Sequence, residues 1–208
     1  MQNLQLISGH SVIELDTVDS TNNYAANLAK SGQIGNGTVI LSAHQSHGRG
    51  QRGHIWQSDA GTNLLMSYVL TRPIFTHETQ FYLNKAVALG VRDMVEKASA
   101  KCCKIKWPND IFCDGLKLGG ILIENSWRAQ TLSSCIIGIG LNVNQTEFDT
   151  LRATSLAEIL GKEQDVKSCL RSILESLDVR LEQVARKQWR QIADAFGECL
   201  YLKDQITD

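Results

Sequence analysis

Long apolar runs are missing from this sequence. No stretch approaches the roughly 20 apolar residues needed to cross a bilayer, so a membrane-spanning helix is not expected. Residues 1–16 carry Ser, His and Glu early and lack the basic start and apolar centre of a signal peptide, so export is not expected either. An excess of one charge is missing too. The 21 Lys and Arg face 22 Asp and Glu, a net charge of −1. General nucleic-acid binding usually leaves a basic excess and is not indicated. Proline occurs only at Pro73 and Pro108, and there is no repeat or low-complexity stretch, so nothing marks a linker. One domain is expected to fill most of the 208 residues.

Several chemical signatures are also absent. No pair among Cys102, Cys103, Cys113, Cys135, Cys169 and Cys199 has the C-x-x-C spacing of a zinc or redox site. Adjacent Cys102 and Cys103 suit neither a routine disulfide nor a shared tetrahedral site. All six read as reduced thiols of a cytoplasmic protein, mostly packing residues. His10, His44, His47, His54 and His77 show no metal-ligand spacing. There is no G-x-S-x-G elbow, and a hydrolase triad cannot be assembled from local sequence.

What is present is a mixture of strands and a few helices. Ser20-Thr21-Asn22 can cap a helix running to about Lys30 and stopped by Gly32. Apolar residues from Phe81 to Ala98, and from Val166 to Val184, recur at helical spacing and predict two long amphipathic helices. Strands are expected at 38–43, 63–70, 103–106, 111–113, 116–124 and 135–143, with 44–53 a loop. Asp114-Gly115 is a two-residue hairpin signal. The elements do not alternate regularly. That favours an α+β fold, a mixed and largely antiparallel sheet backed by helices.

Four segments carry candidate chemistry. In His47-Gly48-Arg49-Gly50-Gln51-Arg52-Gly53 the glycines allow close backbone approach to a ligand. Exposed N–H groups and two arginines there suit an anion; the alternative is a flexible surface loop. Lys106-Trp107-Pro108-Asn109-Asp110 interrupts an apolar stretch. Its Asp could help to hold Mg²⁺ beside a triphosphate, or the segment is a solvated turn. In Lys117-Leu118-Gly119-Gly120-Ile121-Leu122-Ile123-Glu124 the paired glycines mark a bulge or a close approach. Lys117 is placed to meet an anion, unless it simply sits on an exposed hairpin. In residues 137–144, Ile137, Ile139, Leu141 and Val143 form a core face. The other face shows Gly138, Gly140, Asn142 and Asn144, a flat floor for a planar ligand or for a neighbouring element.

Together these segments resemble the biotin protein ligase family, in its monofunctional form without a DNA-binding domain. Asp19-Ser20-Thr21-Asn22 is similar to its biotin-contacting segment. Gln45 with Gly48 to Gly53 and Trp56 is similar to its adenylate-binding loop, GRGRRG. Lys106 to Asp110 matches KWPND, Lys117 to Leu122 matches KLGGIL, and Gly138 to Asn142 matches GxGxN. The resemblance covers about residues 15–145.

The resemblance implies a class II synthetase-like catalytic fold over residues 1–190, with 191–208 a tail. Leu200 to Leu202 would begin a small β domain that family members usually carry. It implies ATP-dependent activation of biotin to biotinyl-5'-AMP and transfer to a lysine of a biotin carboxyl carrier protein. Lys117 and Arg49 would be catalytic. Ser20, Thr21, Asn22, Gln45, Gly48, Lys117, Gly119, Gly120 and Gly138 would contact biotin. Arg49, Gly50, Gln51, Arg52, Gly53, Trp56, Asn109 and Asn142 would bind the nucleotide. Asp110 would hold Mg²⁺. Gln51 departs from the family pattern, where Arg is frequent. No helix-turn-helix precedes the core, so repressor activity is not implied. The alternatives are a lipoate or octanoate ligase or transferase, which would not need polar contacts for a ureido ring, and a non-catalytic nucleotide-binding module.

Overall fold

The computed structural model describes residues 3–71, 76, 79–128, 131–148 and 152–201. Pro73, His77 and Leu202 lie outside them. The chain order is β1 (Asn3–Ile7), β2 (His10–Val18), α1 (Thr21–Lys30), β3 (Val39–Gln45), β4 (Leu64–Thr71), α2 (Gln80–Ser99), β5 (Cys103–Lys106), β6 (Asp110–Cys113), β7 (Leu116–Arg128), β8 (Thr131–Leu141), α3 (Leu156–Leu160), α4 (Val166–Ala185) and α5 (Trp189–Glu198). The strands form one eight-stranded sheet in the order β1-β2-β3-β4-β8-β7-β6-β5. All neighbours pair antiparallel except β2 and β3, which run parallel. That parallel pair needs a crossover, and α1 supplies it.

The two faces of the sheet are covered differently. The periodic apolar positions of α2 and α4 explain the larger core. Leu83, Val87, Val91, Met94 and Val95 from α2 pack with Leu170, Ile173, Leu174 and Leu177 from α4 against Ile137, Ile139 and Leu141 of β8. Each such side chain, fully buried, contributes roughly 1.5–3 kcal/mol. On the opposite face Ala25 of α1 packs on Ile13, Ile40, Val69 and Ile136. This helix is short and covers only part of that face. The remainder, over β7 and β8, is left for the candidate site.

Turn chemistry agrees with the sequence reading. Asp114 and Gly115 both have positive φ, 51° and 78°, as a type I′ hairpin requires. The expected boundary at residue 190 falls within α5, whose Ile192 and Phe196 join the large core. Leu200 forms a parallel bridge with Ile105 on the outer edge of β5. The packed unit therefore continues at least to residue 201. Among the described residues no helix is long and apolar enough to cross a membrane. All six cysteines are free thiols, and only Cys102 is exposed.

Candidate active site

A cavity of about 140 Å³ lies between the N-terminus of α1, the loop after β3 and the glycine-bearing parts of β7 and β8. One end is built by α1. Ser20 is its N-cap residue, but the hydroxyl makes no capping bond. The first free N–H of the helix, on Thr21, instead donates to Gln45 Oε1 at 2.7 Å, and Thr21 Oγ1 donates to the same atom at 3.0 Å. A backbone N–H can only donate, so Oε1 must face Thr21 and the Gln45 NH₂ faces away. Ser20, Thr21 and Gln45 line the cavity. Ser20 and Thr21 bring hydroxyls from the start of α1, and Gln45 brings its NH₂ from the end of β3.

Behind them is a residue the sequence reading did not single out. Ser67 of β4 is fully buried, and its Oγ lies 2.8 Å from Thr21 Oγ1 and 2.6 Å from Asn22 Oδ1. Asn22 Nδ2 donates to Leu122 O at 3.2 Å and to Glu124 Oε2 at 2.8 Å. A Cβ at Gly138 would stand 2.4 Å from Asn22 Oδ1. Glycine there lets the amide lie flat on the sheet.

The glycine-rich segment is a tight ribbon. Gly50 N–H donates to His54 O at 2.7 Å, and Trp56 N–H donates to Gly48 O at 3.0 Å. A Cβ at Gly48 would stand 2.3 Å from Trp56 O, so only glycine permits this closure. Arg52 and Gly53 make the turn with φ of 54° and 81°. The ribbon carries Arg49, Gly50, Gln51, His54, Ile55 and Trp56 into the cavity wall. Gly48, Arg52 and Gly53, expected among the ligand contacts, do not line it; they shape the ribbon. Trp56 lies over the glycine floor, where a Cβ at Gly120 or Gly140 would stand 3.1 or 2.5 Å from its ring.

Charge enters from β6 and β7. Strict alternation from Gly120 would point Leu118 at the cavity and Lys117 into the core. The β6–β7 register instead slips between Ile111, which pairs with Gly119, and Phe112, which pairs with Lys117. This bulge leaves Leu118 unpaired and buried in the core, and turns Lys117 to the cavity. Lys117 Nζ then lies 2.9 Å from Asp110 Oδ1 and 5.7 Å from the Trp56 ring centroid. Arg49 is paired as well, with Nη2 at 2.8 Å from Glu124 Oε1. Asn109 also reaches the cavity, although its Nδ2 is committed to Ile121 O at 2.9 Å. Beside the site, the side-chain bond from Asn23 holds the Asp19 carboxyl below its usual pKa, with burial opposing.

Two expected contacts sit elsewhere. Gly119 faces the core and allows close approach to Gly140 O, 3.0 Å from a Cβ. Asn142 is buried outside the cavity wall, and its Nδ2 donates to Thr154 O at 3.0 Å. The adjoining segment grips Lys117, because Lys117 N–H donates to Arg152 O and Thr154 N–H donates to Lys117 O, both at 2.9 Å. Asn142 is therefore linked to the backbone of Lys117 by way of Thr154. Among the described residues no three His, Cys, Asp or Glu side chains form a ready-made metal cage. Asp110 is a single carboxylate in the cavity, which suits Mg²⁺ held jointly with substrate phosphates.

Comparison with known proteins bears on the family of this chain. Residues 14–142 match the Biotin/lipoate A/B protein ligase family. The chain is 35% identical to the Bacillus subtilis "Bifunctional ligase/repressor BirA" over 84% of its own length and 54% of that protein's. It thus spans about half the length of that relative. It is 33% identical to a Mycobacterium tuberculosis "Biotin--[acetyl-CoA-carboxylase] ligase", covering 97% of this chain and 77% of that one. The Aquifex aeolicus biotin protein ligase, solved with biotin and ATP, superposes with a TM-score of 0.78 at 30% identity, over 91% of this chain and 78% of that one. This chain belongs to the biotin/lipoate A/B protein ligase family.

Proposed function

We propose that this protein is an ATP-dependent biotin protein ligase, which forms biotinyl-5'-AMP and passes the biotinyl group to a carrier-protein lysine. The observation that carries the reading is the set of groups gathered around one cavity. Ser20, Thr21 and Gln45 bring polar groups from the start of α1 and the end of β3, Arg49 comes from the ribbon, and the contacting pair Lys117 and Asp110 comes from β7 and β6. A ureido ring needs polar partners, whereas a lipoyl or octanoyl chain does not, so Ser20, Thr21 and Gln45 favour biotin.

The first step joins two anions. A carboxylate oxygen of biotin attacks the α-phosphorus of ATP, the new O–P bond forms, and the α–β bridge breaks to release pyrophosphate. Lys117, already inside the cavity and partly shielded by Trp56, is placed to stabilise charge as carboxylate and phosphate meet. Arg49 and the ribbon N–H groups support the phosphate. Mg²⁺ bound at Asp110 would supply positive charge to the polyphosphate. In the second step the carrier lysine amine attacks the acyl carbon and AMP leaves. The free thiols fit a reducing compartment, and we place the enzyme in the cytoplasm. The carrier would be a biotin carboxyl carrier domain of a carboxylase.

The test is biotin-dependent exchange of labelled pyrophosphate into ATP. Exchange with lipoate or octanoate but not biotin would move the protein to the other branch of its family. Nucleotide binding without exchange on any of these acids would leave a non-catalytic module.

A further inference from the structure

Glu124 lies on β7 outside the cavity wall, at the end of the Lys117–Glu124 segment, and the sequence gives it no role of its own. Its carboxylate meets Arg49 from across the fold. Oε1 accepts from Nη2 at 2.8 Å, and Oε2 accepts from Nη1 at 3.1 Å. Oε2 also accepts from Asn22 Nδ2 at 2.8 Å, and Arg49 Nη1 donates to Asn23 Oδ1 at 2.7 Å. One carboxylate thus ties the glycine-rich ribbon to the start of α1, the two sides between which the reactants must meet.

The pair is half open to solvent, with side-chain exposures of 43% and 35%. Screening makes it a weak contributor to stability. What a two-pronged guanidinium–carboxylate contact fixes well is direction. These bonds use both hydrogens of Nη1 and one of Nη2. Nε and the second Nη2 hydrogen remain, on a different edge of the planar group. Arg49 can therefore keep its carboxylate and still offer a donor edge to an anion.

We propose that Glu124 is the positioning residue for Arg49, aiming that free edge into the cavity and joining the ribbon to the acid-binding end. It touches no reactant and acts through Arg49. The inference rests on the reading of the cavity as an acyl-adenylate site.

The experiment is a double-mutant cycle in pyrophosphate exchange, using whichever of biotin, lipoate or octanoate the natural protein accepts. Glu124→Ala is expected to lower kcat about tenfold while KM for the acid moves less than about threefold. In an Arg49→Ala background it should add almost nothing, because the two residues act as one unit. Glu124→Gln keeps the shape and one acceptor, should lose about threefold, and serves in the cycle if the alanine variant does not fold. Losses that multiply in the double variant, or an unchanged kcat, overturn the proposal. A second readout needs no activity. Trypsin cleavage after Arg49 should be faster in Glu124→Ala than in the natural protein, and equal rates overturn the pairing. If no acid supports exchange by the natural protein, the functional reading fails while cleavage still judges Glu124.

Discussion

The indole of Trp56 rests on Gly140 so closely that a Cβ there would stand 2.5 Å from Trp56 Cε2. The ring is large and its middle atoms cannot yield as a flexible chain end does. Gly140→Ala should push the indole off the floor and raise KM for ATP in pyrophosphate exchange by about tenfold, some 1.4 kcal/mol. Trp56→Ala should move KM the same way with little change in melting temperature. If Trp56 is only a core anchor, that variant will instead melt earlier with its affinity per folded molecule unchanged.

Lys117→Ala should damage adenylation far more than acid binding. The ammonium meets charge that accumulates only as the carboxylate attacks phosphate. Its loss should cost on the order of 3 kcal/mol in the transition state, roughly a hundredfold in exchange rate. Biotin affinity measured by calorimetry without ATP should change much less. An unaltered exchange rate would remove Lys117 from the mechanism.

Asn142→Ala separates a nucleotide contact from a positioning role. The side chain is 5% exposed and bonded to Thr154 O, so its removal leaves a buried carbonyl unpaired. That costs about 1–3 kcal/mol. The variant should melt at a lower temperature and lose kcat as the hold on the Lys117 backbone loosens, with KM for ATP nearly constant. A raised KM at full stability would restore the adenine contact that the GxGxN resemblance implies.

This residue marks where sequence pattern stops being informative. Periodicity was enough for α2 and α4, because each helix buries one face, and for β8, whose Ile137, Ile139 and Leu141 alternate with Gly138 and Gly140. It did not reveal β1 and β2. Val12 and Ile13 are adjacent and both buried, since this part of the sheet is covered on both faces and alternation disappears. The motifs located the cavity but not the contacts that set its geometry. A bulge at Leu118 decides that Lys117 faces Asp110, and strand pairing decides that Glu124 reaches Arg49 across 75 positions. Both depend on register, which no local pattern encodes. Ser67 was hidden for a similar reason, as a lone serine in an apolar strand whose partners come from α1.

Gln51 stands where Arg is frequent in the resembling loop, and an Arg there would supply a full charge and a planar fork to a bound acyl-adenylate. Gln supplies an amide alone, so the intermediate could escape more readily unless other groups compensate. The structure narrows which groups those are. Arg52 is exposed on the turn and does not line the cavity, whereas Arg49 and His54 do. Gln51 also borders a small void of about 50 Å³ with Asn84 and Asn109. Among the described residues Asn84 Oδ1 is buried without a hydrogen-bond partner. An arginine at position 51 has that oxygen as a competing acceptor, which would draw part of its donor set away from the ligand. Gln51→Arg should therefore change retention of the intermediate by only about 1 kcal/mol or less, the size of a partly screened contact. The measurement is release of biotinyl-adenylate from enzyme loaded without carrier, for the natural protein and the variant. Slowing by a hundredfold or more would mean that Arg49 and His54 do not compensate and that Gln51 leaves the site leaky.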